Sequence, residues 1–139
     1  VLIVHAAGNE SVNNDEIVNF PHRQYLNSKE ECTTWIEVGA SSWGGNNNFV
    51  GVFSNYGKEN VDLFAPGVDI YSCAPHQKYE SAGGTSMAAP VVTGVAALVW
   101  SYYPELTASQ LKSILIESVE FYGNEIVNFP GEENKSVKF

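Results

Sequence analysis

This chain is short of cysteine, of basic side chains and of long apolar runs. Its 139 residues hold two cysteines, Cys32 and Cys73. Their spacing matches no zinc-ligand pattern, and one pair of thiols makes no disulfide scaffold. The pair forms either one disulfide or two free, partly buried thiols, and free thiols are the expectation. Seven Lys and Arg stand against 16 Asp and Glu, a net charge of −9. That balance sets aside nucleic acid and anionic membrane surfaces as partners. No apolar stretch reaches membrane-spanning length. No Gly-x-x-x-x-Gly-Lys run occurs, and no Lys or Arg falls within residues 82–93. A phosphate-holding loop is therefore disfavoured, and nothing in the sequence asks for a cofactor or metal.

What is present forms a core. At 44% hydrophobic and 17% charged, the composition is that of one globular domain. Val1-Leu2-Ile3-Val4 is a continuous apolar run, and residues 1–7 read as an interior parallel strand. Residues 13–34 are polar, contain Pro21 and read as a long excursion. Further strands are expected at 35–40, 49–53, 61–64 and 69–72, with turns at Gly/Asn-rich 44–48 and at Ala65-Pro66-Gly67. A long helix runs from Thr85 to about Tyr103, where Pro104 stops it. Its Ala88, Ala89, Gly94, Ala96 and Ala97 admit close neighbours. Thr107-Ala108-Ser109-Gln110 is a capping box. It opens a second helix with Leu111, Ile114, Leu115 and Val119 on one face. Strands alternating with helices give an α/β class. From Gly123 onward the pattern dissolves. Residues 16–21 recur letter for letter at 125–130, but one repeated hexamer is no repeat architecture.

Two short segments carry chemistry. Gly83-Gly84-Thr85-Ser86-Met87-Ala88-Ala89-Pro90 puts two glycines and two hydroxyls at the start of the long helix. Free N–H donors and the positive end of the helix dipole gather there. Ser86 is the candidate nucleophile, although Ser, Thr and Gly are also ordinary helix caps. The other segment is Ala6-Ala7-Gly8-Asn9, at the carboxyl end of the first strand, where open α/β sheets bind ligands. Asn9 is placed to donate from its side-chain amide, or else is a turn residue.

Taken with Ala65-Pro66-Gly67, these segments resemble the subtilisin-like serine proteases, in the right order, and the likeness extends to about Val119. The resemblance implies an incomplete subtilisin-like α/β fold, a parallel sheet flanked by helices. It makes Ser86 the acylated nucleophile and Asn9 an oxyanion donor. Ala6, Ala7 and Gly8 then form one wall of the pocket for the residue preceding the scissile bond. Asn19 falls near its floor, and Gly84 and Thr85 lie beside the substrate backbone. The pocket would be of medium depth, without charge to select Arg or Lys. A cis peptide is expected at Phe20–Pro21. Met87, next to the serine, is an oxidation liability.

The chain departs from that family in one respect. The triad's Asp and His precede the serine, yet His5, His22 and His76 stand in no matching context. His5 reads as a packing or edge residue. The chain opens in mid-strand and ends without punctuation, so residues 1–139 are expected to be the C-terminal portion of one peptidase domain. That portion would be inactive alone and prone to self-association. The parent would be a serine endopeptidase acting on peptides or proteins in a secreted or cell-envelope location. A non-catalytic, protease-like binding or scaffold domain is the alternative, and an unrelated anion-binding module is a third.

Overall fold

The computed structural model describes residues 1–44, 48–120, 127–129 and 132–135. Strand β1 (Ile3–Ala6) lies parallel to β2 (Trp35–Gly44), with Ile3 opposite Trp35 and Ala6 opposite Val38. The short β3 (Asn48–Val50) pairs antiparallel with the far end of β2. Strand β4 (Leu63–Pro66) lies parallel to β2, which is therefore the central strand. β5 (Ile70–Ala74) and β6 (Lys78–Ala82) form an antiparallel hairpin. Helices α1 (Thr85–Tyr102) and α2 (Ala108–Glu117) follow, then a hairpin of β7 (Val127–Phe129) and β8 (Glu132–Lys135).

Period-two alternation along β2 sorts its side chains onto two faces. Ile36, Val38 and Ala40 are fully buried and meet Ala88, Val92 and Ala96 of α1. Those three recur every fourth residue, one stripe of the helix. Leu111 and Leu115 of α2 close the same core. Ile36, Val38 and Leu111 each contribute about 1.5–3 kcal/mol by leaving water. The capping box at Thr107 and Gln110 forms as expected, with Thr107 Oγ1 accepting from the Gln110 N–H. Ile114, expected on the buried face, is instead exposed, and α2 ends before Val119.

The opposite face is partly polar. Glu37 is buried there, accepting from Trp35 Nε1 and bonded to His5 Nδ1 at 2.8 Å. Arg23 holds Asp62 through two bonds of 2.7 and 3.2 Å, and Asp62 also accepts from the Glu37 N–H. Each charge thus has a partner of opposite sign or several donors, as burial requires.

Several expectations change. Strand β1 was expected to be buried, but Ile3 is exposed and Val4, His5 and Ala6 are only half-buried; among the described residues it pairs only with β2. Gly94 and Ala97 face outward, and nothing lies within 4 Å of a Cβ built on Gly94. Only one face of α1 meets the sheet, so close approach falls to Ala88, Ala89 and Ala96. By length and composition α1 does reach membrane-spanning character. Its Ala88, Val92 and Ala96 nevertheless pack on the sheet, the habit of a core helix. The strand expected at 49–53 stops at Val50, because a turn at Gly51 sends Ser54 and Asn55 into the interior. β6 carries no apolar pattern because every residue in it is exposed. Its turn places His76 and Gln77 at positive φ without a glycine. The β7–β8 hairpin stands where the pattern seemed to dissolve. Residues 125, 126 and 130 of the second hexamer copy and residues 45–47 of the expected turn lie outside the described residues. Both cysteines are free, and Cys73 is exposed rather than partly buried.

Candidate active site

Three loops converge at the start of α1. β1 delivers Ala7, Gly8 and Asn9 past the carboxyl end of the sheet. The turn after β4 delivers Gly67, whose carbonyl accepts the Gly84 N–H at 2.8 Å. A side chain at Gly67 would run into the Ala40 methyl and the Gly84 carbonyl, at 2.6 and 2.8 Å. The middle motif thus needs its glycine because the serine loop lies directly on it.

Thr85 ties the first loop to the helix. It is fully buried. Its N–H and its hydroxyl both donate to Asn9 Oδ1, at 2.9 and 3.1 Å. Its hydroxyl oxygen also accepts the Gly8 N–H at 3.2 Å. A backbone donor on Oδ1 settles which way the Asn9 amide points, since only the oxygen can accept. The amino end, Nδ2, is left over.

The first turn of α1 has free N–H groups. That of Thr85 is taken by Asn9, and those of Met87 and Ala88 return to the Gly84 carbonyl. The N–H of Ser86 has no partner among the described residues, and neither does its hydroxyl. Ser86 is exposed and sits in a cleft of about 280 Å³ with Ala6, Ala7, Gly8, Asn9, Asn19 and Thr85. His5, Glu10 and Phe20 also line it. Glu10 Oε2 is already occupied by the Asn9 N–H and Asn55 Nδ2, at 2.9 and 3.0 Å. The Phe20–Pro21 peptide is cis, where the resemblance placed it.

Asn55 organises the first loop, and its sequence context, Ser-Asn-Tyr-Gly, reads as an ordinary turn. It is fully buried. Its Oδ1 accepts from the N–H groups of Glu10 and Val12, and its Nδ2 donates to the Ala7 carbonyl at 3.0 Å. Gly8 has φ +108°, and a Cβ there would strike the Asn55 amide. Asn14 adds a bond to the Ala7 carbonyl at 2.9 Å, and Asn19 Nδ2 donates to Asn14 Oδ1 at 3.2 Å. Asn19 thereby reaches the cleft through a chain of amides. None of His5, His22 and His76 bonds to Ser86.

Chemically, the cleft offers an unencumbered hydroxyl beside two unused N–H donors. The subtilase family profile matches residues 1–134. Subtilisin DY from Bacillus licheniformis is 35% identical over 135 residues, covering 92% of this chain and 45% of that protein. Alkaline elastase YaB from Bacillus sp. (strain YaB) is 40% identical over 124 residues, covering 89% of this chain and 29% of the relative. Among solved structures, a cold adapted subtilisin-like serine proteinase superposes with TM-score 0.74 at 32% identity, over 97% of this chain and 44% of that one. A subunit in the subtilase cytotoxin SubAB assembly gives 0.73 at 28% identity, over 93% and 45%. The chain thus spans less than half the length of these relatives. With a family profile spanning residues 1–134 and relatives 35–40% identical over about nine-tenths of its length, the chain belongs to the subtilase family.

Proposed function

We propose that this chain supplies the nucleophile and the oxyanion donors of a serine endopeptidase. Ser86 Oγ attacks a peptide carbonyl, and its proton passes to a general base and then to the leaving amine. The C–N bond breaks, leaving an acyl group on Ser86 that water releases as the acid. Asn9 Nδ2 and the Ser86 N–H hold the oxyanion. Ala6, Ala7 and Gly8 form one wall of the substrate pocket, Asn19 its floor, and Gly84 and Thr85 the side along the substrate backbone. One observation carries this reading. Thr85 fixes Asn9 by its oxygen, so the free donor and the free Ser86 N–H are left together at an exposed hydroxyl.

No histidine among the described residues bonds to Ser86, and in this reading the base comes from a part of the protein beyond these 139 residues. The chain is then the C-terminal portion of a peptidase domain, with peptides or proteins as substrates. A secreted or cell-envelope location is part of this proposal, on the resemblance to the subtilisin-like proteases. The missing base is also what a protease-like binding domain would show, and that is the second reading.

A fluorophosphonate probe separates them. The isolated chain should not label, since loss of the base costs a subtilisin about 10⁶ in kcat, a magnitude borrowed from that enzyme. The protein carrying the complete domain should label at Ser86, and its Ser86→Ala form should not. A folded complete domain that never labels would leave the binding reading standing.

A further inference from the structure

We propose that His5 sets the preference for the substrate side chain preceding the scissile bond, by offering a hydrogen-bond acceptor to an amide side chain, Gln or Asn. The inference rests on the cleft being the peptide site.

His5 lies on β1, one residue before the expected pocket wall, and lines the same cleft as Asn9, Asn19 and Ser86. Its side chain is 25% exposed. Nδ1 is 2.8 Å from Glu37 Oε1, and the ring packs against Trp35 with centroids 4.8 Å apart. Glu37 is itself fixed, its other oxygen accepting from Trp35 Nε1. A carboxylate can only accept, so Nδ1 carries the proton and donates. In the neutral ring this makes Nε2 the acceptor. Nε2 has no partner among the described residues.

The ring cannot turn to present another atom without breaking the Glu37 bond and leaving a buried carboxylate short of a donor. With Nδ1 held by Glu37, Nε2 of the neutral ring is the atom left to act as an acceptor in the cleft that His5 lines. A side chain long enough to reach it gains by carrying an N–H. An aliphatic one of equal length would bury Nε2 unpaired. An amide suits better than a carboxylate, which has no donor and would face Glu37 behind the ring.

The test uses the 139-residue chain and tetrapeptide acids that differ only in the last residue, Gln or norleucine. Binding is followed by fluorescence anisotropy and by the ring ¹⁵N resonances of the histidines, with the Asn9 side-chain amide as a marker of site occupancy. The Gln peptide should bind about tenfold more tightly, the worth of one neutral hydrogen bond, and should move His5 Nε2. The norleucine peptide should move Asn9 but leave Nε2 in place. His5→Phe should bring the two affinities together. Because the ring resonances are read on the unaltered chain, the test does not depend on that variant folding. Equal affinities, or Gln binding with a stationary Nε2, would overturn the role of His5 and leave the peptide site intact. If neither peptide binds and Asn9 is unmoved, the peptide-site reading falls with it.

Discussion

Thr85 and Asn9, separated by 76 positions in the chain, are joined by two bonds onto one oxygen, Asn9 Oδ1. One comes from the Thr85 N–H and the other from its hydroxyl. That hydroxyl in turn accepts from Gly8. Thr85→Val keeps the shape but removes the hydroxyl, leaving the half-buried Gly8 N–H without its partner. It is expected to cost about 1–3 kcal/mol. Thr85→Ser retains the bonds and should cost less. Urea denaturation of the two variants against the parent checks the order.

Asn9→Ala, placed in the protein carrying the complete domain, should lower kcat by roughly 10²–10³ and leave KM nearly unchanged, because the lost donor acts on the transition state. That magnitude is known from a subtilisin and is borrowed here. Asn9→Asp is the sharper probe. It keeps the oxygen that Thr85 holds and removes the donor, so it should fold normally and lose activity. Steady-state kinetics with unchanged kcat in either variant would take Asn9 out of the oxyanion site.

Asn55 is bonded through both ends of its amide and is fully buried. Asn55→Leu should strip the partners from Glu10 N–H and Val12 N–H and destabilise the chain by several kcal/mol, each orphaned group costing about 1–3. Gly8 and Asn9 should loosen with it. Amide hydrogen exchange is expected to speed up over residues 7–14 before the rest of the sheet.

The outward face of α1 carries Val91, Val95, Leu98 and Tyr102, all exposed, at helical spacing. Strand β1 is paired on one side only among the described residues. An unprotected strand edge and an apolar stripe together favour association. The net charge of −9 opposes it, but salt screens that repulsion beyond about 8 Å. Light scattering at low micromolar concentration should show a dimer or larger species. Val95→Lys combined with Leu98→Glu should shift it toward the 15.2 kDa monomer. A monomeric parent chain would contradict this expectation.

Cys32 is half-buried, and its thiol is held below the usual range chiefly by the hydrogen bond to the Thr34 side chain. A lowered thiol forms thiolate more readily. Iodoacetamide without reductant should therefore alkylate both cysteines, and Thr34→Val should slow the reaction at Cys32 as its pKa returns upward. Mass spectrometry showing no alkylation would point to a disulfide instead.

The sequence by itself determined the local features. Apolar runs fixed β1 and β2, a reciprocal Thr107–Gln110 pair fixed the start of α2, and Pro104 fixed the end of α1. The three glycine-bearing motifs marked where the loops meet the helix, because each needs a backbone that only a small residue permits. Tertiary structure alone decided the rest. Nothing near Asn55 in sequence reports that its amide will be buried under Gly8. Nothing near His5 reports that Glu37, 32 residues on, will hold its ring. The exposed strand β6 left no trace, since burial is what writes a period into a sequence. The outer face of α1 misled for the same reason. Its alanine and glycine look like contact residues, and only the packing shows which of them touch the sheet.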